Sequence, residues 1–309
     1  MGKKRDTDSK KALRILNIYE RLNRGEDVVK KNLANHFSVD GKTIQRDLKD
    51  IRTYLSKETT TTLEYSRKKE SYILIRDDRE WLTKKEVMAM CKILLESRAF
   101  NEDELNILID KLLLQTVDSD RKLVKELIKN ERRYYVPLRH EEYLMDRIWE
   151  MSEFIEKKQP IVFNYERQDG KLKKRRVIPE AIMFSEFYFY LIAYFADNSK
   201  KYPAVFRLDR IMDIKPTKKR DEDKKFDYVK RFEGGEFRKR VQFMYSGKLK
   251  KVTFEFSGRS LEAILDRLPT AKVIEEKEDC VVIQAEGFGD GIEMWLRTQG
   301  ENVRILKTN

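Results

Sequence analysis

The spacing of apolar residues changes near residue 158, and that change sets what the chain can fold into. Up to Lys157 apolar residues recur mostly three and four positions apart, the period of an amphipathic helix, apart from two short β-prone runs at 62–65 and 72–75. Just beyond Lys157 the pattern changes to the period of two expected of strands with one buried face. A chain of 309 residues with such a switch is expected to form two or three domains, because one core rarely grows past roughly 250 residues. Apolar residues make up 40% of it, enough to build packed cores despite 39% charged residues.

Several classes are disfavoured at once. The longest mainly apolar stretch, Phe187 to Ala196, is about half the ~20 residues of a membrane helix. The opening MGKKRDTDSKK has no apolar run behind it to act as a signal peptide. Cys91 and Cys280 form no CxxC, so no disulfide framework is expected. Together these features predict a cytoplasmic chain with no membrane partner. His36 and His140 stand at no metal-ligand spacing, and there is no GxGxxG, no Walker-type phosphate loop and no GxSxG. The expectation is a basic binding protein, not an enzyme, with no catalytic residue, cofactor or metal.

The net charge of +12 is unevenly placed. Residues 1–80 hold 20 Lys+Arg against 14 Asp+Glu, or +6, and residues 158–220 hold 15 against 7, or +8. Residues 248–309 hold 10 against 11, or −1. Two segments therefore suit polyanions and the C-terminal one does not, although solvated lysine faces would produce similar sums.

In the first basic segment, Leu13, Ile15, Leu16, Ile18, Tyr19 and Leu22 stripe one helix, and Asn23-Arg24-Gly25 ends it. A second helix runs Val28 to Phe37, with Leu33, Ala34 and Phe37 inward. The turn Ser38-Val39-Asp40-Gly41 offers Asp40 as N-cap of a third helix, whose buried face is Ile44, Leu48, Ile51 and Leu55. Its opposite face carries Lys42, Thr43, Gln45, Arg46 and Lys49, candidates for base edges and phosphates in a major groove. Two β-prone runs then flank Arg67-Lys68-Lys69-Glu70, a hairpin wing that would bring Arg67, Lys68 and Lys69 to a phosphate backbone. The bland alternative is a three-helix packing unit with solvated lysines. Val39 to Leu55 also resembles the recognition helix of winged helix-turn-helix regulators of the DeoR type, through its Thr43-Ile44-Gln45-Arg46-Asp47-Leu48 string. Residues 1–80 are read as a winged helix-turn-helix DNA-binding domain.

Residues 81–139 read as a helical connector, with Thr83 and Glu86 set as a capping box. After a helix from Glu141 to Lys157 come short strands: Ile161–Tyr165, a turn at Asp169-Gly170, Lys173 to Ile178 stopped by Pro179, then 181–184, Phe187 to Phe195, Val205 to Leu208 and Ile211 to Ile214. Such short antiparallel strands suggest a small barrel without exposed edges. Residues 140–222 resemble a WYL domain, through Tyr165, Arg176-Val177-Ile178-Pro179, Phe189-Tyr190-Leu191-Ile192-Ala193-Tyr194 and Phe206-Arg207-Leu208-Asp209-Arg210-Ile211. Phe189 stands where that family has tryptophan. The resemblance implies an Sm-like barrel whose basic and aromatic residues bind a ligand, with nucleic acid or nucleotide as the favoured class. Tyr165, Arg176, Phe189, Tyr190, Arg207, Asp209 and Arg210 are the candidate ligand residues, since rings stack on bases and arginine forks hold phosphate. Asp209 could instead orient an arginine by an ion pair, and Tyr194 reads as barrel core.

Residues 223–309 comprise a linker and an extension. A charged linker, Lys218 to Lys225, is followed by a turn at Gly234-Gly235 and then a βαββαβ order that suggests a ferredoxin-like α+β domain. Residues 291–296 and 300–305 resemble the extension that often follows WYL domains, which implies a role in dimerisation or ligand sensing. The whole is a multidomain α+β chain, read as a transcription regulator. Its partners would be a double-stranded DNA operator, a single-stranded nucleic acid or nucleotide ligand, and a second copy in a homodimer. The alternatives are a nucleic-acid-processing enzyme and an RNA-binding adaptor using the basic barrel.

Overall fold

In the computed structural model, residues 2–58, 61–75, 82–197, 199–200, 202–218 and 232–309 are described. The chain divides into two compact units, Met1–Arg98 with Glu102–Pro137, and Ala99–Asn101 with Leu138–Asn309. Most of the charged linker expected at 218–225, and both the 80/81 and 222/223 boundaries, lie outside the described residues.

The first unit opens with α1 (Gly2–Asn23), α2 (Lys30–Phe37) and α3 (Gly41–Glu58), followed by a hairpin of β1 (Thr62–Ser66) and β2 (Ser71–Ile75). Ile18, Leu22, Leu33, Ile44, Leu48, Ile51, Leu55 and Leu63 form its core. The α3 spacing faces inward, but of the α1 stripe only Ile15, Ile18, Tyr19 and Leu22 do, while Leu13 and Leu16 are 65% and 61% exposed. Val28 does not start α2 as its apolar character suggested. It exchanges backbone hydrogen bonds of 3.0 and 2.8 Å with Tyr72, which ties the entry of α2 to the hairpin. Ser38 then takes φ 53°, a left-handed turn that lets α3 cross α2. Gly25 is required where it stands: its φ is +78°, and a Cβ there would lie 2.7 Å from that of Val117.

Three further helices complete this unit: α4 (Lys84–Ser97), α5 (Glu102–Leu113) and α6 (Asp118–Arg133). Thr83 and Glu86 form the expected capping box, and the Thr83 backbone N–H holds the Glu86 carboxyl below its usual pKa. Lys84–Asp120 at 3.0 Å and the Lys92–Glu131 pair join α4 to α6. Arg132 reaches back to Asn106 and Asp110 of α5, at 2.6 Å each.

The second unit begins its helix, α7 (Met145–Glu156), later than Glu141. Glu141 sits at φ 53°, and the Asn101 amide donates to the carbonyls of Glu141 and Glu142 at 3.5 and 3.4 Å, so this stretch is held non-helical. The strands β3 (Ile161–Glu166), β4 (Leu172–Ser185), β5 (Tyr188–Phe195), β6 (Ala204–Arg207) and β7 (Ile211–Pro216) form one antiparallel sheet in the order β6-β5-β4-β3-β7. In a flat sheet β3 and β6 would lie about 14 Å apart. The Phe163 and Phe206 rings are 5.3 Å apart instead, and Tyr165 to Phe206 is 5.1 Å, so the sheet rolls up. Its interior is Phe163, Val177, Leu191, Phe206, Leu208 and Ile211, closed by Leu144 and Met151 beside and within α7. Among the described residues no ladder joins β6 to β7, so closure rests on side chains and not on a continuous hydrogen-bonded cylinder.

Two readings of this region need correction. Pro179 does not stop a strand: β4 continues through it, with a register shift between Pro179 and Ala181. The β3 ladder ends at Val177, so Pro179 sits where one edge of β4 has no neighbouring strand and the missing N–H costs no ladder bond there. Beyond Arg207 the chain turns into a 3-10 segment, Leu208–Arg210, in place of a longer strand.

After the undescribed linker, Gly234-Gly235 opens a helix, α8 (Gly234–Arg240), where a turn was expected. Phe237 and Val241 bury against Met183 and Ile192 on the outside of the rolled sheet, and that burial outweighs the low helix propensity of glycine. The chain ends with β8 (Leu249–Phe256), α9 (Leu261–Arg267), β9 (Lys272–Glu276), β10 (Val281–Phe288), α10 (Gly291–Arg297) and β11 (Val303–Thr308). Its sheet is antiparallel in the order β11-β8-β10-β9. Val252, Phe254, Phe256, Ile283 and Ala285 pack against Ile264, Ile292 and Leu296 of the helices, with Trp295 partly buried beside them.

Candidate nucleic-acid interface and barrel site

The exposed side of α3 is built from its cap onward. Asp40 Oδ1 accepts the Thr43 backbone N–H at 2.6 Å, and that bond holds the Asp40 carboxyl below its usual pKa. With Ile44, Leu48, Ile51 and Leu55 inward, helical geometry leaves Lys42, Gln45, Arg46 and Lys49 together on the exposed face and Thr43 half-buried at its margin. Two ion pairs fix α3 against α1. Arg14 Nε meets Asp47 Oδ2 at 2.5 Å, with side chains only 13% and 1% exposed, and Lys11 meets Asp50 at 2.9 Å on the surface.

The hairpin is fastened to the same helix. Arg52 Nε donates to the Leu63 carbonyl of β1 at 3.1 Å. Between helix and hairpin lies an open groove of about 450 Å³ lined by Gln45, Lys49, Arg52, Thr53, Ser56 and Tyr72. At the hairpin tip Arg67, Lys68 and Lys69 are all exposed, and Lys69 pairs with Asp27 at 3.0 Å. Thus Gln45 and Lys49 share a groove with three polar residues that sequence reasoning missed: Arg52, Thr53 and Ser56. The i+3/i+4 spacing from Lys49 would have found Arg52 and Thr53.

The barrel candidates do not form one cluster. Tyr190 and Arg207 are paired across β5 and β6 on the outer face of the rolled sheet. Arg207 binds Asp209 with two nitrogens, at 3.1 and 2.6 Å, and its guanidinium lies 3.4 Å from the centroid of Tyr188. These side chains are 19% and 4% exposed, so Asp209 positions Arg207 and is itself largely out of solvent. Tyr165 accepts the Arg207 backbone N–H at 3.3 Å and otherwise packs in the interior beside Phe163 and Phe206. Burial pushes the Tyr190 hydroxyl up to about 12, against the opposing pull of Arg207.

Phe189 turns to the opposite face, where its ring meets Phe184 at 5.1 Å and Phe100 at 5.5 Å. The ring beside Arg207 is Tyr188. Arg176 lies on the far stretch of β4, opposite Val162, and donates to the Lys218 carbonyl at 3.4 Å. Along the strand that is about 20 Å from Met183, the residue paired with Tyr190. Arg210 closes the 3-10 segment, half-buried. Tyr194, read as core, is partly buried and its hydroxyl is likewise pushed up by burial.

His140 joins the Arg207 cluster without any signal in the local sequence. Its Nδ1 accepts the Glu142 backbone N–H at 3.1 Å, its ring lies 6.5 Å from Tyr188, and its buried Nε2 has no hydrogen-bond partner. Burial pulls its pKa below the usual 6.5; Asp209 and Glu142 oppose this, and Arg207 and Arg147 reinforce it. Because the folded pKa is depressed, the neutral ring contributes stability above pH 6.5 that is lost as pH falls. His140→Gln should therefore flatten part of the fall in urea midpoint between about pH 7 and pH 5. An unchanged slope in the variant would show that His140 does not titrate this way.

Among the described residues no helix is long and apolar enough to cross a membrane, and no group of three or more His, Cys, Asp or Glu is placed to hold a metal.

Comparison with known proteins places a family model on the rolled sheet: residues 148–216 match the WYL domain. No curated protein matches the chain. Among solved structures it is similar to proteasome accessory factor B/C (PafBC) of Arthrobacter aurescens, at 15% identity and a TM-score of 0.32, over 91% of this chain and 42% of that one. It is also similar to a CRISPR Cas-related protein, at 14% identity and a TM-score of 0.38, over 87% of this chain and 69% of that one. The chain thus spans less than half the length of the PafBC chain.

Proposed function

We propose that this chain is a sequence-specific DNA-binding transcription regulator and not an enzyme. Residues 1–80 act as a winged helix-turn-helix, 81–139 as a helical connector, 140–222 as an Sm-like sensor barrel and 223–309 as a linker with a ferredoxin-like α+β extension. The observation that carries the reading is the single exposed face of α3 bearing Lys42, Gln45, Arg46 and Lys49, set beside a basic hairpin across an open groove. Helix in the major groove and wing on the backbone is the division of labour such a surface supports.

The expected working form is a cytoplasmic homodimer on an inverted repeat, since one helix-turn-helix reads few base pairs. Footprinting over the promoter region of its own gene, with light scattering of the complex, tests both points. Arg46→Ala should lose about 1–3 kcal/mol of specific binding if the side chain makes a bidentate base contact. Lys68→Ala should weaken all sequences alike and reduce the salt dependence. A chain lacking residues 1–80 that still bound the operator as tightly as the intact protein would overturn the assignment.

The barrel is read as the sensor of an anionic ligand, a single-stranded nucleic acid or a nucleotide. Support comes from Tyr188, Tyr190 and Arg207 gathered on its outer face and from the +8 charge of residues 158–220. In this reading Tyr188, stacked with Arg207, and half-buried Tyr190 contribute ring contacts, Arg210 meets phosphate, and Arg207 is held ready by Asp209.

A further inference from the structure

A separate cavity of about 200 Å³ lies where the end of β4 meets α8 and the end of α9. Met183, Val241 and Met244 supply apolar wall, while Arg238, Asp266 and Arg267 bring charges of both signs to its lining. The polar groups are not used up by the fold. Arg267 gives one nitrogen to Glu186 at 2.8 Å, but its Nε is buried without a partner. Arg238 donates to the Phe184 carbonyl at 3.1 Å, and among the described residues Asp266 takes part in no ion pair.

The backbone around this cavity is unusual. Phe243 and Met244, the latter part of the lining, are consecutive left-handed residues at φ 49° and 54°, and Glu186, which follows Ser185 of the lining, is at φ 56°. Bulky side chains adopt this conformation only when the surroundings hold them there, and such strain gathers at ligand clamps. Gln242 fixes the same segment by donating from Nε2 to the Arg267 carbonyl at 3.2 Å.

Size and charge together limit the occupant. At about 200 Å³ the cavity is smaller than the roughly 300–1,000 Å³ typical of drug-sized ligand pockets, which favours a small occupant. Two arginines suit a carboxylate, Asp266 suits an ammonium, and the apolar wall suits a short hydrocarbon side chain. We propose that this cavity is a ligand site for a single α-amino acid with an apolar side chain, bound across the junction of the barrel and the C-terminal sheet. Arg238 and Arg267 hold its carboxylate and Asp266 its ammonium. The site is independent of the anionic ligand proposed for the barrel's Tyr188–Arg207 cluster, and its test uses neither DNA nor oligonucleotide.

Calorimetric titration of the full chain with L-leucine and L-methionine, compared with isovalerate and isoamylamine, tests the proposal. At least one of the two amino acids should bind saturably at about millimolar concentration or below, and the two compounds that carry one charge each should bind at least about tenfold more weakly. Asp266 is exposed, so Asp266→Asn should keep the melting temperature while weakening amino-acid binding about tenfold and leaving isovalerate unchanged. Arg238→Gln provides a second variant, expected to weaken both the amino acid and isovalerate. The proposal falls if neither amino acid binds, if isovalerate equals the amino acid, or if both variants bind it as the wild type does.

Discussion

Arg14→Ala is expected to cost about 3–5 kcal/mol of stability in the N-terminal unit, because it strands a carboxylate with nowhere to go. Asp47 is 1% exposed and meets Arg14 at 2.5 Å, so its charge has no water to fall back on. Asp47→Ala should cost less, since Arg14 is 13% exposed on a long stem and can swing outward. Replacing both by leucine should recover most of the loss, as apolar substitutes for buried ion pairs often do. Urea unfolding followed by helical circular dichroism, with operator binding measured in parallel, checks the order. If the single and double variants were equally stable, the pair would not be the clamp between α1 and α3. Function should follow stability here, because that clamp sets the angle at which Arg46 and Lys49 leave the surface.

The second large effect is expected at Arg207. Arg207→Ala leaves Asp209, 4% exposed, without its bidentate partner and removes a cation from the Tyr188 face. A loss of about 3–5 kcal/mol in the C-terminal unit is the expected cost of that stranded carboxylate. Arg207→Lys should recover only part of it, since an ammonium cannot bond both carboxylate oxygens and lie flat on a ring. The double variant Arg207→Ala/Asp209→Ala should be more stable than Arg207→Ala alone. That double variant therefore separates the proposed sensing from folding. It should keep basal operator binding within a few-fold and lose the response to short oligonucleotides. A double variant that still bound oligonucleotides like the wild type would show that Arg207 serves the fold alone.

These two pairs mark a limit of reading residues one at a time. Arg14 and Asp47 are 33 positions apart, and neither stands out from the many charges around it. Nothing in their spacing says that they meet, or that the meeting is out of water. His140 is similar: only the rolled sheet brings it to Tyr188 and buries its Nε2. Elements with a one-sided pattern were legible. In α3, Ile44, Leu48, Ile51 and Leu55 define the buried face, and the exposed basic face follows by geometry. Asp40 and Thr83 mark helix starts because their side-chain oxygens accept N–H groups only a few residues on.

Strand β5 shows why the barrel site was harder. Tyr188 to Phe195 is apolar or aromatic at every position, so a period of two cannot say which alternate set faces inward. The structure turns Phe189 and Leu191 to the interior and leaves Tyr190 and Ile192 to be covered by Phe237 of α8 and by Val241 just beyond it. The same covering made Gly234-Gly235 a helix start in place of a turn. Local pattern alone thus determined α1 to α6, the N-terminal hairpin, the Asp40 and Thr83 caps and the exposed face of α3, because each depends on neighbours a few residues away. Which face of an all-apolar strand is inside, which charges are buried as pairs, and where an open pocket lined by charges of both signs remains were decided only by tertiary structure. Those outcomes depend on burial, and burial is set by segments far apart in the chain.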